Sequence, residues 1–257
     1  MRPAPVLSCL MRIERHGSVA LLRIESGKVN AIGPAFVETL PKLLDGLGDA
    51  DAAVITGQGS VFSAGLDLPA LIDLDQPAMY RFIEQFNALM LRLFELPIPL
   101  VAAVNGHAIA GGCVLALQAD LRFAADRDAR IGLNEAQLGI GLPAVVLETL
   151  RAQVPASSLA PIALEGRLFA PREALQLGLV HEVVAETDLL ARALERAQAL
   201  AALPPAGVRQ IKSALRRPIS ALIRATGAAE SERWVQSWLD EKSQATLRAT
   251  VARLKQR

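Results

Sequence analysis

The sequence predicts an α/β fold with a helical C-terminal region, and three observations support this prediction. Short apolar segments of strand length alternate with segments of helical periodicity up to about residue 170. Beyond that point, the long periodic segments all have the spacing of a helix. The break Leu203-Pro-Pro-Ala-Gly207 then separates the last helices from the rest of the chain. We therefore predict a core over residues 1–200 and a helical region over residues 201–257.

The predicted core elements follow this alternation from the N-terminus. Apolar runs bounded by turn residues indicate strands, whereas apolar residues three and four apart indicate helices. These patterns predict strands at residues 19–24, 52–56, 100–104 and 121–125, and helices at residues 35–47, 80–96 and 111–117. The stretch from 98 to 117 is apolar, but Pro99, Asn105 and His107 interrupt it. A buried strand, a turn and a buried helix fit it better than a membrane span.

Four further segments with helical spacing follow the core strands. They cover residues 171–178, 189–202, 208–216 and 231–255. Trp234 and Trp238 lie four residues apart in the last of these helices, which favours packing or a subunit contact over ligand stacking. A helical tail of this size is typical of a subunit contact, so we expect part of it to pack on a neighbouring subunit.

The composition excludes several classes of protein. The chain has 257 residues, of which 52% are hydrophobic and 21% charged, as in ordinary globular proteins. A net charge of +1 gives no electrostatic reason to expect a nucleic-acid partner or a membrane surface. The N-terminal ten residues lack the sustained apolar core of a signal peptide. The alanine, leucine and arginine content favours a bacterial cytoplasmic protein over a processed mitochondrial one.

The cysteines and histidines do not indicate a metal or redox site. Cys9 and Cys113 are too few for a disulfide framework, and the apolar surroundings of Cys113 favour a packed thiol. The three histidines are isolated, with no second ligand at metal spacing. Dinucleotide, Walker A, zinc-protease and nucleophile-elbow motifs are also missing from the sequence. We therefore expect neither a metal nor a cofactor.

Two glycine-bearing turns carry the first chemical signal, and each follows a predicted buried strand. They are Phe62-Ser-Ala-Gly-Leu-Asp-Leu68 and Asn105-Gly-His-Ala-Ile-Ala-Gly-Gly-Cys113, the second of which runs into a helix. Backbone N–H groups beside glycine can approach a ligand closely, and two that converge on one oxygen form an oxyanion hole. Taken alone, each turn is more often structural than functional.

A single carboxylate in an apolar segment is the second signal. Glu135 lies within Ile131-Gly-Leu-Asn-Glu-Ala-Gln-Leu-Gly-Ile140. The side chain could lie on a solvated face, or be partly buried with a raised pKa that suits a general base. The spacing alone does not decide between these two environments.

Together with Glu165-Gly-Arg-Leu-Phe-Ala-Pro-Arg-Glu-Ala-Leu-Gln-Leu-Gly-Leu-Val180, these segments resemble the crotonase superfamily, which includes enoyl-CoA hydratases and isomerases. The resemblance extends from about Ile13 to Lys255. It implies a spiral of strand–strand–helix units, a helical C-terminal oligomerisation region, and a homotrimer or a dimer of trimers. It also implies an acyl-CoA thioester as the substrate, with coenzyme A as part of that substrate and no separate cofactor.

The resemblance assigns roles to residues at matching positions. The backbone N–H groups of Leu66 and Gly111 would hold the thioester oxygen, and Glu135 would be the catalytic base. The first turn, which contains Ala64, Gly65, Leu66, Asp67 and Leu68, would line the CoA and thioester site. For Asp67 we favour a backbone hydrogen bond that shapes this turn. Asn134 would touch the substrate or orient Glu135, or it would be a helix-cap or turn asparagine without such a role.

The number of carboxylates separates the branches of this superfamily. Hydratases use two glutamates to position a water, and the first would fall on Val114, which can neither accept a proton nor orient water. Glu135 alone can move a proton from the α-carbon to the γ-carbon of a 3-enoyl chain. The segment around Glu135 is also similar to the mitochondrial type of Δ3,Δ2-enoyl-CoA isomerase, so we expect this isomerisation, in fatty acid oxidation. Another crotonase-fold enzyme, such as a hydratase or thioester hydrolase, and a non-catalytic acyl-CoA-binding protein remain the alternatives.

Overall fold

The computed structural model describes residues 10–256, so Cys9 and the first residues of the chain lie outside the described part. The strands are β1 Leu10–His16, β2 Val19–Glu25, β3 Ala52–Gly57, β4 Val61–Ser63, β5 Leu100–Val104, β6 His107–Ile109, β7 Leu121–Asp126, β8 Ile131–Gly132 and β9 Glu182–Ala185. The helices are α1 Pro34–Asp45, α2 Leu68–Leu71, α3 Gln76–Phe94, α4 Gly111–Leu117, α5 Glu135–Leu138, α6 Ala144–Gln153, α7 Pro171–Gln176, α8 Leu189–Ala201, α9 Pro205–Leu239 and α10 Glu241–Leu254.

The strands form two sheets that the chain builds in turn. The larger sheet has the order β1-β2-β3-β5-β7-β9, with β1 antiparallel and the remaining pairs parallel. The smaller sheet has the order β4-β6-β8 and is parallel. The first unit, β1-β2-α1, places both strands in the large sheet, and each of the next three units contributes one strand to the large sheet, the next strand to the small sheet, and then a helix. This is the predicted spiral of strand–strand–helix units.

Apolar side chains cover both faces of the larger sheet. β3 and β5 are buried along their whole length, as their uninterrupted apolar runs predict for parallel strands covered on both sides. Helix α8 covers one face, where Ala193 and Ala197 are fully buried against the strands. The larger hydrophobic core fills the other face and extends under α1, α3, α4 and α6. Cys113 is buried in this core, so the expected packed thiol is confirmed.

The prediction of the last two helices was wrong in its boundaries. Residues 208–216 belong to α9, which runs without interruption through Pro218 and Gly227 to Leu239. The helix continues because Ser220 and Ile223 anchor its inner face, while Pro218 lies on its exposed face. The predicted helix 231–255 is instead divided at Asp240, whose side chain accepts hydrogen bonds from the N–H groups of Lys242 and Ser243 and starts α10.

The C-terminal helices pack on the core of their own chain. Helix α9 lies along α3 and α6, and α10 contacts α2 and α5. Trp234 and Trp238 are buried in this contact, with ring centroids 5.4 Å apart, so their expected packing role is confirmed. The side of the tail that faces the core is therefore an intramolecular interface. Contact with a neighbouring subunit and the division at residue 200 both stay predictions.

The remaining apolar stretches agree with the core prediction. The segment 98–117 forms a strand, a short second strand and a helix, as expected. Within residues 10–256, the long helices are too polar to cross a bilayer.

Candidate active site

The small sheet brings the two glycine turns and Glu135 to one edge. The first turn follows β4, the second follows β6, and Glu135 lies three residues beyond β8. These three strands are neighbours and run parallel, so their carboxyl ends meet at the same edge. The hydrogen bond from the N–H of Ala110 to the carbonyl of Gly132, 2.8 Å long, ties the second turn to the segment that carries Glu135.

The backbone around Leu66 directs its N–H group away from the segment that pairs with it, which contains Ile32 of the same chain. Ile32 pairs with Leu66 as a single parallel bridge. The N–H of Ile32 donates to Gly65 at 2.8 Å, and the N–H of Asp67 donates to Ile32 at 3.0 Å. In such a bridge the residues on either side of Leu66 make the hydrogen bonds to Ile32. The backbone N–H and C=O of Leu66 itself point to the opposite side. Within the described chain, the N–H of Leu66 donates no hydrogen bond.

Gly111 supplies the second unpaired N–H group, and it lies against the first turn. As the first residue of α4, Gly111 has no helical acceptor for its N–H, and it donates to no other described residue. A Cβ placed on Gly65 would lie 3.1 Å from the Gly111 nitrogen and 2.7 Å from the Ile109 oxygen. Only glycine fits at position 65, where φ is +87°. The two turns therefore approach each other as an oxyanion hole requires.

The residue before Gly111 adopts a backbone conformation that is rare for a side-chain-bearing residue. Ala110 has φ 50° and ψ −122° and is the N-cap of α4. This region of φ and ψ is normally occupied by glycine, so alanine is strained there. Hydrogen bonds hold the residue on both sides: its N–H donates to Gly132, and its carbonyl accepts from Val114 at 3.0 Å. The strain fixes the direction of the next N–H group, that of Gly111.

Glu135 is buried and lacks a partner. Only 7% of the residue is exposed, and among the described atoms the buried Oε2 finds no hydrogen-bond donor. Burial raises the pKa of its carboxyl from 4.5 to about 7, and its own backbone N–H opposes this shift. The sequence left open whether this side chain is solvated or buried, and the structure shows a buried carboxyl. A group with this pKa can both accept and return a proton near neutral pH.

The inner wall beside Glu135 comes from α4. Burial, and then the nearby charge of Glu135, raise the pKa of the Cys113 thiol to about 12. Cys113 therefore stays protonated and cannot serve as a nucleophile near neutral pH. Val114, the next residue, is 1% exposed and belongs to the hydrophobic core. No second carboxylate is available from α4, since Gly111–Leu117 contains no acidic residue.

The other sequence-predicted residues shape the two turns. The side chain of Asp67 accepts a hydrogen bond from the N–H of Ala70 at 3.3 Å and caps α2, which begins at Leu68. The N–H of Ala64 donates to Val29 at 3.0 Å. Asn134 lies at the start of α5 without capping it through its side chain, and its buried Oδ1 has no partner among the described residues. Its amide is therefore free to bind a substrate or water.

Sequence reasoning missed the residues that brace the first turn. The Ser63 hydroxyl donates to the Asn30 carbonyl at 2.7 Å and accepts from the N–H of Gly65 at 3.2 Å. The Asn30 side chain in turn donates to the Val61 carbonyl at 2.8 Å. Ile32 and the strained Ala110 were also missed. A buried asparagine and serine in apolar surroundings were the available signal, but their partners lie about 30 residues apart in sequence.

The last two helices contact the segment that follows Glu135. The Ser243 hydroxyl on α10 donates to the Gly139 carbonyl at 2.7 Å, and the Ser237 hydroxyl accepts from the N–H of Gly141 at 3.0 Å. Both contacts fix the segment that directly follows α5, the short helix of Glu135. Helices α9 and α10 thus fix the chain that follows Glu135.

The geometry defines a class of chemistry. A buried carboxyl with a pKa near neutrality lies at the same sheet edge as two unpaired N–H groups. Such a site can remove a proton beside a carbonyl while the N–H groups stabilise the negative charge that develops on the oxygen.

Comparison with known proteins then identifies the family. The family model described as enoyl-CoA hydratase/isomerase matches residues 14–256. The chain belongs to this family, and it is an enzyme of the crotonase fold, as the sequence motifs predicted.

Relatives within the family are named for different reactions. Human mitochondrial enoyl-CoA delta isomerase 1 is 31% identical over 253 residues, which cover 96% of this chain and 83% of that protein. A putative enoyl-CoA hydratase of Thermus thermophilus is 35% identical over 214 residues, or 80% of this chain and 83% of that protein. Carnitinyl-CoA dehydratase of Escherichia coli (strain K12) is 32% identical over 210 residues, or 80% of each chain.

Solved structures agree with the fold. The crystal structure of human mitochondrial Δ3-Δ2-enoyl-CoA isomerase superimposes with a TM-score of 0.90 at 30% identity and covers 96% of this chain and 98% of that chain. An enoyl-CoA isomerase structure from Mycobacterium tuberculosis has a TM-score of 0.81 at 33% identity, covering 87% of this chain and 98% of that chain. The predicted similarity to the mitochondrial type of isomerase is thereby confirmed.

Proposed function

We propose that this enzyme converts a 3-enoyl-CoA into the 2-trans-enoyl-CoA, with Glu135 as its single acid–base group. The observation that carries the proposal is the buried, unpartnered carboxyl of Glu135 with its pKa near neutrality. The extensive similarity to a human isomerase of this specificity supports the same reaction. The proposed setting is fatty acid oxidation, in the bacterial cytoplasm.

The proton transfers follow from the residues of the site. The ionised Glu135 takes the proton from the α-carbon, and the electron pair of that C–H bond moves toward the thioester oxygen. The N–H groups of Leu66 and Gly111 stabilise the resulting dienolate, and each such donor is typically worth about 3 kcal/mol in the transition state. Glu135 then returns the proton to the γ-carbon, which leaves the double bond between the α- and β-carbons. The substrate supplies coenzyme A, and the scheme requires no further cofactor.

The apolar wall beside Glu135 argues against hydration. Water addition in this family requires a second carboxylate, and the position that would supply it is Val114, which is buried in the core. The unpartnered oxygen of Asn134 would help to orient the substrate or the Glu135 carboxyl.

The test follows conversion of a trans-3-enoyl-CoA by the ultraviolet absorbance of the conjugated product. We expect Glu135→Gln to lower kcat by about 100-fold to 10,000-fold while acyl-CoA binding is retained, because the amide keeps the shape but cannot accept the proton. The exposed Glu165→Gln is the matched control and should leave kcat unchanged.

Full activity of Glu135→Gln would refute the mechanism. Water addition to a 2-enoyl-CoA at a rate above isomerisation would identify a hydratase instead, and thioester cleavage would identify a hydrolase. Tight acyl-CoA binding without turnover would identify a non-catalytic binding protein.

We further propose a homotrimer or a dimer of trimers. The outer face of α9 carries a stripe of exposed leucine and isoleucine side chains at helical spacing: Ile211, Leu215 and Leu222, which are 58%, 69% and 45% exposed. Such a stripe, opposite the face that packs on the core, supports contact with another subunit. Light scattering should give a mass of three or six chains for the wild type and a smaller one for Ile211→Glu/Leu215→Glu. A monomeric wild type would refute this assembly.

A further inference from the structure

A cavity lies between α9 and the end of α3, at the edge of the large sheet opposite the active site. Its volume is about 550 Å³, which is in the range of small-molecule sites. Leu96 and Pro97, which line it, precede β5, whereas the active-site turn follows β5. The five residues of β5 span about 17 Å, so the two sites are separated by the length of this strand.

The charge of this cavity is strongly positive. Five cationic side chains and a single carboxylate, Glu95, line it; the cations are Arg209, Lys212, Arg216, Arg217 and Arg224. Glu95 is already occupied, since it pairs with Arg224 at 2.6 Å. The cavity contrasts with the chain as a whole, whose net charge is only +1. A local excess of this kind attracts anions.

The floor contains two buried cations that share one carboxylate. Lys212 and Arg216 are each 8% exposed, and both contact Asp120 at 2.6 Å, one through each carboxylate oxygen. Lys212 also donates to the Ile98 carbonyl at 2.7 Å. Burial lowers the pKa of Lys212, and the nearby charge of Arg216 lowers it further. Arg216 also donates to the Gln118 carbonyl at 3.4 Å and lies 3.9 Å from the centroid of the Phe94 ring. Two cations thus share one carboxylate, and neutral groups of the chain supply their remaining contacts.

The rim provides arginines that no carboxylate in the described chain holds. Arg209 and Arg217 are exposed, line the cavity and form no ion pair with any described residue. Arginine presents a planar fork of N–H donors that fits phosphate oxygens in pairs. These two side chains can fold over an anion that lies on the Lys212 and Arg216 floor.

A buried hydroxyl between floor and rim also lacks a partner. Ser220 is 2% exposed and lines the cavity, yet its Oγ makes no hydrogen bond to the described residues. A buried hydroxyl that has no acceptor in the chain can donate to a polar group that enters the cavity. The hydroxyl is therefore an observation, independent of the charge, that favours a polar ligand here.

We propose that this cavity is a binding site for a small phosphate-bearing polyanion, separate from the acyl-CoA site. Arg209 and Arg217 hold the outer oxygens, Ser220 donates to an inner oxygen, and the Lys212–Arg216 pair neutralises the remaining charge. The phosphates could belong to a free polyphosphate anion or to a coenzyme A molecule, and the geometry favours the free anion because the catalytic turns are at the far end of β5.

Calorimetric titration of the full-length protein with inorganic pyrophosphate tests the proposal. We expect saturable binding, weakened about tenfold or more in Arg209→Gln/Arg217→Gln, because charge-assisted hydrogen bonds are the strongest polar contacts. Ser220→Ala should weaken binding by about threefold to tenfold. Arg81→Gln/Arg196→Gln is the matched control, since both side chains are exposed and the change in net charge is the same. This control should bind like the wild type.

Four results would overturn the proposal. The wild type does not bind pyrophosphate, or Arg209→Gln/Arg217→Gln binds it as tightly as the wild type. Alternatively, the control Arg81→Gln/Arg196→Gln loses as much affinity as the rim variant, or saturating coenzyme A displaces pyrophosphate. The last result would place the anion in the acyl-CoA site. Turnover of a 3-enoyl-CoA by the rim variant should equal that of the wild type, so failure of this proposal and failure of the proposed isomerase are distinguishable.

Discussion

The buried carboxyl of Glu135 should destabilise the folded protein above neutral pH, and Glu135→Gln isolates this effect. The carboxyl has a pKa near 4.5 when solvated and about 7 in the folded chain, because burial disfavours its charged form. The folded state therefore binds the proton more tightly than the unfolded state. Any stability that depends on this group is fully present below pH 4.5, is lost as the pH rises through about 7, and changes little above that.

The size of the effect follows from the shift. A difference of one pKa unit corresponds to about 1.4 kcal/mol, so a shift from 4.5 to about 7 amounts to about 3 kcal/mol at pH 8. Glutamine has nearly the same shape and carries no charge. At pH 5 the folded wild type is neutral at this position while the unfolded chain is partly ionised, so the variant should be the more stable by less than about 1 kcal/mol. At pH 8 the variant should be the more stable by about 3 kcal/mol.

Urea unfolding at pH 5 and pH 8, followed by circular dichroism at equal protein concentrations, measures this difference. The other groups that titrate in this interval are common to both proteins and cancel when the two are compared. Glu165→Gln, at an exposed position, should show no such pH-dependent gain. If the advantage of Glu135→Gln is the same at both pH values, the carboxyl is not buried as described, and its role as a base with a raised pKa fails with it.

Three further predictions concern the same structure. The kcat/KM of the wild type should rise about tenfold per pH unit below pH 7 and level off above it, because only ionised Glu135 can accept the proton; a flat profile from pH 5 to 8 would contradict this. Gly65→Ala should lower kcat about 100-fold, because a Cβ there would lie 2.7 Å from the Ile109 oxygen in the neighbouring turn. The control Gly59→Ala, with φ +67° and open space around the new Cβ, should keep its activity and lose only about 1 kcal/mol of stability. Asp120→Asn should destabilise the fold by about 3–5 kcal/mol because it leaves two buried cations unpaired. Asp45→Asn, which breaks an exposed pair, should cost less than about 1 kcal/mol. Urea unfolding measures both losses of stability, and equal losses would contradict the first estimate.

The strands of the large sheet were predictable because they are long enough to carry a pattern. The predicted strand 100–104 coincides with β5, and the predicted strands 52–56 and 121–125 each fall one residue short of β3 and β7. Burial on both faces requires apolar residues at every position, and the sequence shows this directly. β1 was missed because it is an edge strand whose arginines and glutamates pair with one another across its surface, as Arg12 does with Glu14.

The small sheet was not predictable, although it positions the active site. β4, β6 and β8 have three, three and two residues, which is too short for any periodicity. Their pairing joins segments that are far apart in sequence, so the information lies in contacts and not in local propensity. The sequence showed two turns and a carboxylate that could converge; that they meet at one edge depends on this sheet. The segment that follows Glu135 is held in turn by α10, more than 100 residues later in the chain.

Buried polar atoms without a partner in the described chain also occur singly, on Asn87 and Trp238 for example. Two places combine such an atom with strained backbone or buried charge, and this combination argues that both are functional. At one edge of the fold are a strained Ala110, two unpaired N–H groups and the orphaned oxygens of Asn134 and Glu135. Each of these features lowers stability, and a fold that needed only to pack would replace them, as α4 does with Val114. At the other edge, Lys212, Arg216 and Ser220 combine excess buried charge with an orphaned hydroxyl. The same reasoning that identifies Glu135 as a base supports the proposed anion site, because Ser220 Oγ has no partner in the described chain and the one carboxylate of Asp120 is shared by two buried cations.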